Sequence, residues 1–177
     1  AQQAVQMARV LRDQLFINGF KAFKDPLSHS WVTVAEGCAL TAGIIGGLGG
    51  AKCRTAAAHP IHNGLTQLEY IHKPLHGELV GFGLLVQLNL QEKNSNNQLT
   101  KQAKSQLINF LSKLNLPISI NSLCLKNSAS NELNKACKFA CNANSDIHKL
   151  PFPINEKDLL EAIQSYQSLP TQNISSK

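Results

Sequence analysis

Residues 76–90 read HGELVGFGLLVQLNL, and this stretch decides the class of fold. Its apolar side chains lie nearly all round a helix, a pattern typical of a helix buried at the centre of a helical domain. His76 therefore lies at the start of the predicted central helix. The sequence predicts an all-α domain built around this helix.

Most of the remaining chain is also predicted to be helical. Apolar residues at helical spacing predict a first helix that ends near Asp25. A second helix is predicted from about Ser30 to Ala42, and the glycines of residues 43–50 are expected to break it. Residues 92–100 are polar and rich in asparagine, so we expect a surface loop there.

The length of 177 residues fits one domain with a core of its own. We expect a helical metal- and substrate-binding domain over residues 1–169. Its last helix is predicted to begin after Asn155, with Asp158 in the first turn as a favourable acid. Residues 170–177 are predicted to form a flexible C-terminal tail.

Composition argues against several classes of partner. The net charge is +6, but the lysines are scattered and aromatic residues are few, so no nucleic-acid partner is expected. No run of about eighteen apolar residues is present, so no membrane partner is expected. The five cysteines are odd in number, which favours reduced thiols and a cytoplasmic location. Cys137 and Cys141 are expected to pack in the core as small apolar groups.

Histidines dominate the candidate chemistry. Residues 56–66, AAAHPIHNGLT, have the composition of a helix that runs into a turn at residues 63–64. His59 on this helix and His76 on the next could converge on one point and bind zinc or iron through neutral imidazoles. His59 and His62, three residues apart on one helix face, form a rival metal clamp. Residue types alone leave both pairs open.

The amino-acid sequence of residues 56–87 closely resembles the metal-binding segment of glycerol dehydrogenases. These enzymes belong to the iron-containing alcohol dehydrogenase superfamily, which also includes dehydroquinate synthase and glycerol-1-phosphate dehydrogenase. Residues 36–43 and 147–153 extend the similarity on both sides. The resemblance implies an all-α helical bundle like the C-terminal metal-binding domain of that family. It also implies that the family's N-terminal α/β NAD domain is absent from this sequence.

The resemblance implies roles for individual residues. His59 and His76 correspond to metal ligands for a zinc or iron ion, and the family's third ligand is an aspartate upstream of the matching segment. His62 is the candidate catalytic residue, which would relay a proton or orient the nicotinamide unless it only packs. Glu78 would either orient His76 or complement the helix dipole. His29, His72 and His148 are interpreted as surface or structural residues.

The implied function is NAD-dependent and metal-dependent oxidation of glycerol or a similar small alcohol, with hydride passing between the alcohol and NAD. The partners would be the small alcohol, NAD held by the missing domain, and further copies of the chain in a homo-oligomer. The chain alone is expected to be inactive. Relatives usually carry Phe-Glu-Ser-Gly-Gly where residues 46–50 read GGLGG, which leaves the substrate open.

Two alternatives stay open. The chain could be a catalytically inactive helical remnant that serves as an interaction module. It could also belong to an enzyme of the dehydroquinate synthase or glycerol-1-phosphate dehydrogenase type. Such enzymes act on phosphorylated substrates and need cationic side chains in the cleft, for which Lys52, Arg54 and Lys73 are available.

Overall fold

A computed structural model describes residues 2–50, 55–68, 74–123 and 130–167. Within these ranges the regular structure is entirely helical, which confirms the all-α prediction. The α-helices are α1 (Gln2–Lys24), α2 (His29–Glu36), α3 (Ala42–Gly49), α4 (Ala58–Leu65), α5 (His76–Ser95), α6 (Gln98–Lys113), α7 (Ser130–Ala140) and α8 (Glu156–Gln164). A π-helix, Gly37–Thr41, joins α2 to α3, and a 3₁₀ helix, Asp146–Lys149, lies between α7 and α8.

The helices form two compact units, Ala1–Thr55 and Ala56–Lys177. The first unit contains α1 to α3, and the second contains α4 to α8. The predicted tail, residues 170–177, lies outside the described residues. The extent of the predicted domain, residues 1–169, therefore stays a prediction.

In the first unit, α1 ends at Lys24, as the sequence predicts. The side chain of Ser28 then accepts a hydrogen bond from the backbone N–H of Trp31 and caps α2. α1 packs against both α2 and α3. Gly37 permits part of this packing, because a Cβ on it would lie 2.8 Å from a terminal methyl carbon of Leu11.

The predicted helix break within residues 43–50 is wrong. The backbone stays helical from His29 through Gly49, because a glycine lowers helix propensity without removing a backbone hydrogen bond. The helix ends only where Gly50 takes a φ of 65°. A Cβ added to Gly43 or Gly47 would have no other atom within 4 Å, so neither of these two glycines serves a close contact in the described structure.

Large apolar side chains of the first unit are mostly exposed. Leu27 is 94% exposed and Ile17 is 78% exposed, whereas the buried apolar residues of this unit are the small Ala4 and Ala22. Other exposed apolar residues on these helices are Val5, Val10, Phe20, Phe23, Trp31, Val32, Leu40, Ile44 and Leu48. By length and composition alone, the helical segment His29–Gly49 could cross a membrane, a test that core helices of water-soluble proteins also pass.

In the second unit, α5 is the central helix, as the sequence predicts. It packs against α4, α6 and α8, and Phe82, Leu85 and Val86 on it are completely buried. The Phe82 ring meets the ring of Tyr166 edge to face, with 6.0 Å between centroids. The buried Tyr166 hydroxyl donates a hydrogen bond of 3.1 Å to the carbonyl oxygen of Leu85. Apolar burial and this hydrogen bond hold the end of the described chain to α5.

The loop predicted for residues 92–100 is also wrong. α5 continues to Ser95 and α6 begins at Gln98, so only two asparagines lie between the helices. Glu92 and Lys104 pair across the two helices while both are largely shielded from solvent. The polar composition of this segment therefore reflects an interhelical ion pair and helix ends.

The two cysteines predicted to pack in the core do so to different degrees. Cys137 is completely buried, and Cys141 is partly buried against the core. Burial raises the pKa of the Cys137 thiol to about 12 and that of the Cys141 thiol to about 11. Both thiols therefore stay protonated at neutral pH. Both are free, as is the exposed Cys38.

Close backbone contacts set the packing of α4. A Cβ on Gly83 of α5 would lie 2.5 Å from the carbonyl oxygen of Ala58 in α4. On the opposite side, a Cβ on Gly64 of α4 would overlap the carbonyl oxygen of Ala136 in α7. Two glycines thus let α4 lie between α5 and α7 at backbone contact distance.

We expect Gly83→Ala to lower the free energy of unfolding by about 1–3 kcal/mol, because the new methyl group must displace the α4 backbone. Gly81→Ala is the matched control on the same helix, since its Cβ would lie at ordinary van der Waals distance, 4.0 Å, from a Leu111 methyl carbon. This control should be neutral or stabilising by roughly 0.5–1 kcal/mol. Urea denaturation measures both changes, and an equal effect would contradict the packing argument.

Candidate metal centre

The helix α4 carries His59 and His62, and a residue of α5 caps its first turn. The backbone N–H groups of Ala57 and Ala58 both donate to the side-chain oxygen of Gln87, each at 3.1 Å. Ala57, the N-cap residue of α4, makes no side-chain capping hydrogen bond of its own. The hydrogen bonds therefore tie the histidine-bearing end of α4 to the middle of α5.

The predicted turn at residues 63–64 lies inside this helix instead. α4 continues to Leu65, and Thr66 follows with a hydroxyl that donates to the Asn63 carbonyl oxygen at 2.8 Å. A Cβ on Gly64 would overlap the Ala136 carbonyl oxygen, so the packing of α4 against α7 accounts for a glycine at this helical position. His59 and His62 lie on this helix, three residues apart.

His76 is the first residue of α5, as the sequence predicts. The carboxylate of Glu78 accepts a hydrogen bond of 2.7 Å from the backbone N–H of Leu75. Glu78 thus caps the helix and also places a negative charge near its positive N-terminus. This contact fixes where α5 begins, and with it the position of His76.

The structure brings the three imidazoles together. The ring centroids of His59 and His76 are 6.0 Å apart, with the ring planes inclined at 53°. The rings of His62 and His76 are closer, with 4.3 Å between centroids, and they meet edge to face. Nε2 of His62 lies 3.0 Å from Nδ1 of His76, which is hydrogen-bond distance.

The electrostatic environment favours neutral imidazole at His59. Its pKa is lowered, chiefly because partial burial penalises the charged form and then because His76 and His62 lie nearby. Asp146 acts in the opposite direction and is the smallest of these influences. A neutral imidazole is the form that binds a metal ion.

Other sequence candidates lie elsewhere or outside the described residues. His29 and His148 are exposed, as expected for surface residues, and Nε2 of His148 contacts the Asn142 carbonyl oxygen at 3.1 Å. His72 and the three candidate phosphate-binding residues lie outside the described residues. Those three are Lys52, Arg54 and Lys73.

Two residues of this site carry no clear signal in the sequence. Asn63 accepts a hydrogen bond from the His62 ring, with 2.8 Å between Oδ1 and Nδ1. Gln87 caps α4 from a position about thirty residues further along the chain, and no local pattern predicts a contact of that separation. For Asn63, its position next to His62 in the sequence is the one signal that could have suggested the contact between them.

The site contains the imidazoles of the two candidate ligands, His59 and His76, and a third imidazole, that of His62, beside them. Within the residues that the structure describes, no group of three or more His, Cys, Asp and Glu side chains is arranged to hold a metal ion. Catalytic zinc sites use three protein ligands and leave one position open for substrate. Two imidazoles would therefore need a further ligand to complete such a site.

We expect Gln87→Leu to lower the free energy of unfolding by about 1–3 kcal/mol, because two backbone N–H groups lose their acceptor. Gln87→Glu is the matched control, since it keeps an acceptor oxygen and adds a charge that suits a helix N-terminus. The control should stay close to the original protein in urea denaturation. Equal losses in the two variants would contradict the capping role.

Comparison with known proteins gives a consistent set of relatives. An uncharacterized oxidoreductase of Synechocystis sp. is 48% identical over 162 residues, covering 92% of this chain and 42% of the relative. Glycerol dehydrogenase of Thermotoga maritima is 32% identical over 162 residues, covering 92% of this chain and 43% of the relative. No protein-family model matches the chain.

Solved structures agree with the sequence relatives. A probable glycerol dehydrogenase from Sinorhizobium meliloti matches with a TM-score of 0.82 and 26% identity, over 94% of this chain and 46% of that one. Glycerol dehydrogenase from Schizosaccharomyces pombe matches with a TM-score of 0.80 and 26% identity, over 94% of this chain and 41% of that one. The chain thus spans less than half the length of these relatives. The predicted resemblance is confirmed, and the chain is a homologue of the glycerol dehydrogenases that has the helical fold of the part it matches.

Proposed function

We propose that the second unit supplies two ligands, His59 and His76, to a divalent metal ion in an NAD-dependent dehydrogenase of glycerol or a similar small alcohol. The observation that carries this proposal is that the two imidazoles converge from separate helices, with 6.0 Å between their ring centroids. Several sequence relatives are named glycerol dehydrogenases, which supports the class of substrate.

The donor set fits zinc or iron. Both ions accept imidazole nitrogen, and His59 is held in the neutral form that such an ion requires. Zinc–nitrogen bonds of about 2 Å in tetrahedral geometry place two ligating nitrogens roughly 3–4 Å apart, a separation that rings at this centroid distance can reach. His76 is exposed and His59 is partly exposed, so both rings lie where a third ligand and a substrate could approach.

A bound ion would act as a Lewis acid that lowers the pKa of the substrate hydroxyl and stabilises negative charge on its oxygen as hydride leaves. The residues of this chain would hold the ion and orient its ligands. His59 and His76 would fix the ligand geometry, and the Gln87 cap would keep the end of α4 in place. His62, which contacts His76, would lie beside the ion and not on it.

The proposal extends to the partners of the intact protein. NAD would be bound by an N-terminal α/β domain, and the intact enzyme would be a homo-oligomer in the cytoplasm. The first unit supports this part of the proposal, because apolar side chains such as Leu27 and Ile17 are largely exposed on it and could be covered by another domain or subunit. Apolar exposure on this scale is typical of surfaces that are covered in an assembly.

In the intact enzyme we expect His76→Ala to abolish metal content and turnover together, because the remaining protein ligands cannot hold the ion in a defined geometry. His59→Ala should behave in the same way. His62→Ala should keep the metal and slow the reaction. Metal analysis and steady-state kinetics measure these effects, with His29→Ala as the control from the other unit.

Several outcomes would contradict this assignment. Loss of metal from His62→Ala with retention in His76→Ala would reverse the roles of the two residues. A large difference between His59→Ala and His76→Ala would favour the rival clamp made by His59 and His62. Metal retention and full activity in all three variants would show that these histidines do not hold the ion, whereas an intact protein with neither metal nor turnover would favour the inactive interaction module.

We expect the 177-residue chain by itself to show no NAD-dependent oxidation of glycerol or simple diols. The matched relatives are more than twice as long as the segment they share with this chain, and the cofactor domain would lie in the remainder. The measurement is the appearance of NADH on incubation of the purified chain with alcohol and NAD. Metal-dependent turnover by this chain would show that the proposal of a separate cofactor domain is wrong.

A further inference from the structure

We propose that His62 and Asn63 act as positioning residues that place the hydrogen of the neutral His76 imidazole on Nδ1, and so leave Nε2 as the nitrogen that binds metal. This inference rests on the proposed metal site. It assigns to His62 a specific task toward His76, and it brings in Asn63, which the sequence does not single out.

Two contacts form a continuous chain from α4 to α5. Oδ1 of Asn63 lies 2.8 Å from Nδ1 of His62, and Nε2 of His62 lies 3.0 Å from Nδ1 of His76. Both distances are those of direct hydrogen bonds. The three side chains are thus linked in one line that ends at the candidate ligand.

The amide oxygen of Asn63 determines which atom donates and which accepts in each of these hydrogen bonds. A carbonyl oxygen can only accept a hydrogen bond, so Nδ1 of His62 must carry the hydrogen in its contact with Asn63. A neutral imidazole has one N–H group, and Nε2 of His62 is therefore an acceptor. The contact of 3.0 Å is completed only if Nδ1 of His76 donates. Nε2 of His76 then has a free lone pair.

Such a partner matters for His76, because packing restrains an exposed ring less than a buried one. The residue is exposed and is the first residue of α5. Glu78, the nearby carboxylate, is engaged with the Leu75 backbone N–H. Metal-binding histidines generally donate their second ring N–H to a fixed acceptor, which sets both tautomer and ring orientation. Here the acceptor is another histidine, whose own hydrogen is fixed by Asn63.

The first test reads the tautomers directly by ¹⁵N NMR of the imidazoles in the metal-free 177-residue chain. The spectra are recorded at about pH 8. We expect His76 to carry its hydrogen on Nδ1. His148 is an internal reference of the opposite kind, since its Nε2 faces the Asn142 carbonyl oxygen and must donate. Finding the His76 hydrogen on Nε2 would overturn the inference.

Substitutions at Asn63 test the origin of the effect. Asn63 is exposed, so its replacement leaves the core intact. Asn63→Asp keeps an oxygen acceptor and should preserve the Nδ1–H form of His76, whereas Asn63→Leu should lose that preference. Thr66→Ala is the control, because it removes only a hydrogen bond to the Asn63 backbone carbonyl. A purely structural role would make the tautomer of His76 indifferent to these changes, and such indifference would contradict the proposal.

Zinc chloride, added alone, separates this inference from the proposed function. We expect zinc to shift the Nε2 signal of His76 together with a signal of His59, while Nδ1 of His76 keeps its hydrogen. Asn63→Leu should weaken zinc binding by about 10–100-fold, and Asn63→Asp should restore it. Zinc bound through Nδ1 of His76 would overturn the positioning role. Absence of any zinc effect on His59 and His76 would refute the metal site, whichever tautomer the metal-free chain shows.

Discussion

The backbone contact between α4 and α5 determines where the candidate site lies. Gly83 has no Cβ, so the Ala58 carbonyl group of α4 rests directly against α5. One turn further along α5, the Gln87 side chain accepts hydrogen bonds from the first peptide groups of α4. The first contact sets the distance between the helices, and the second fixes the end of α4. Because His59 follows Ala58 in the chain, these contacts also fix the position of its backbone relative to α5.

The site combines a rigid support with an open rim. The supporting side chains of α5, such as Phe82 and Val86, are completely buried, whereas His59 is partly exposed and His76 is exposed. Partial burial, with the nearby His76 and His62, lowers the pKa of His59, and the residue remains partly accessible to solvent. A site of this kind favours the neutral form of His59 and still admits a further ligand. Hydrogen-bond contacts link Asn63 to His62 and His62 to His76 at the exposed side of the site.

The two units differ in how they use their apolar residues. In the second unit, α4, α6 and α8 pack against α5, α7 packs against α4 and α8, and the five helices bury a continuous apolar cluster. In the first unit, the described helices expose most of their large apolar side chains. Burial of apolar area is the main favourable contribution to folding, at about 25 cal/mol per Å². The second unit therefore realises this contribution internally, and the first unit realises little of it within the described structure.

The sequence by itself determined the helical class, the central helix at residues 79–90 and the place of His76 at its start, because apolar periodicity and helix-start signals are local. It also singled out His59 and His76 through a resemblance of wording. It mistook the glycines of residues 43–50 and the asparagines of residues 92–100 for breaks, since weak propensities yield to the hydrogen bonds of a continuous helix and to packing between helices. Only the tertiary structure decided that Gln87 caps α4 and that His62 contacts His76, because both contacts join residues distant in the chain and depend on the approach of two backbones at Gly83.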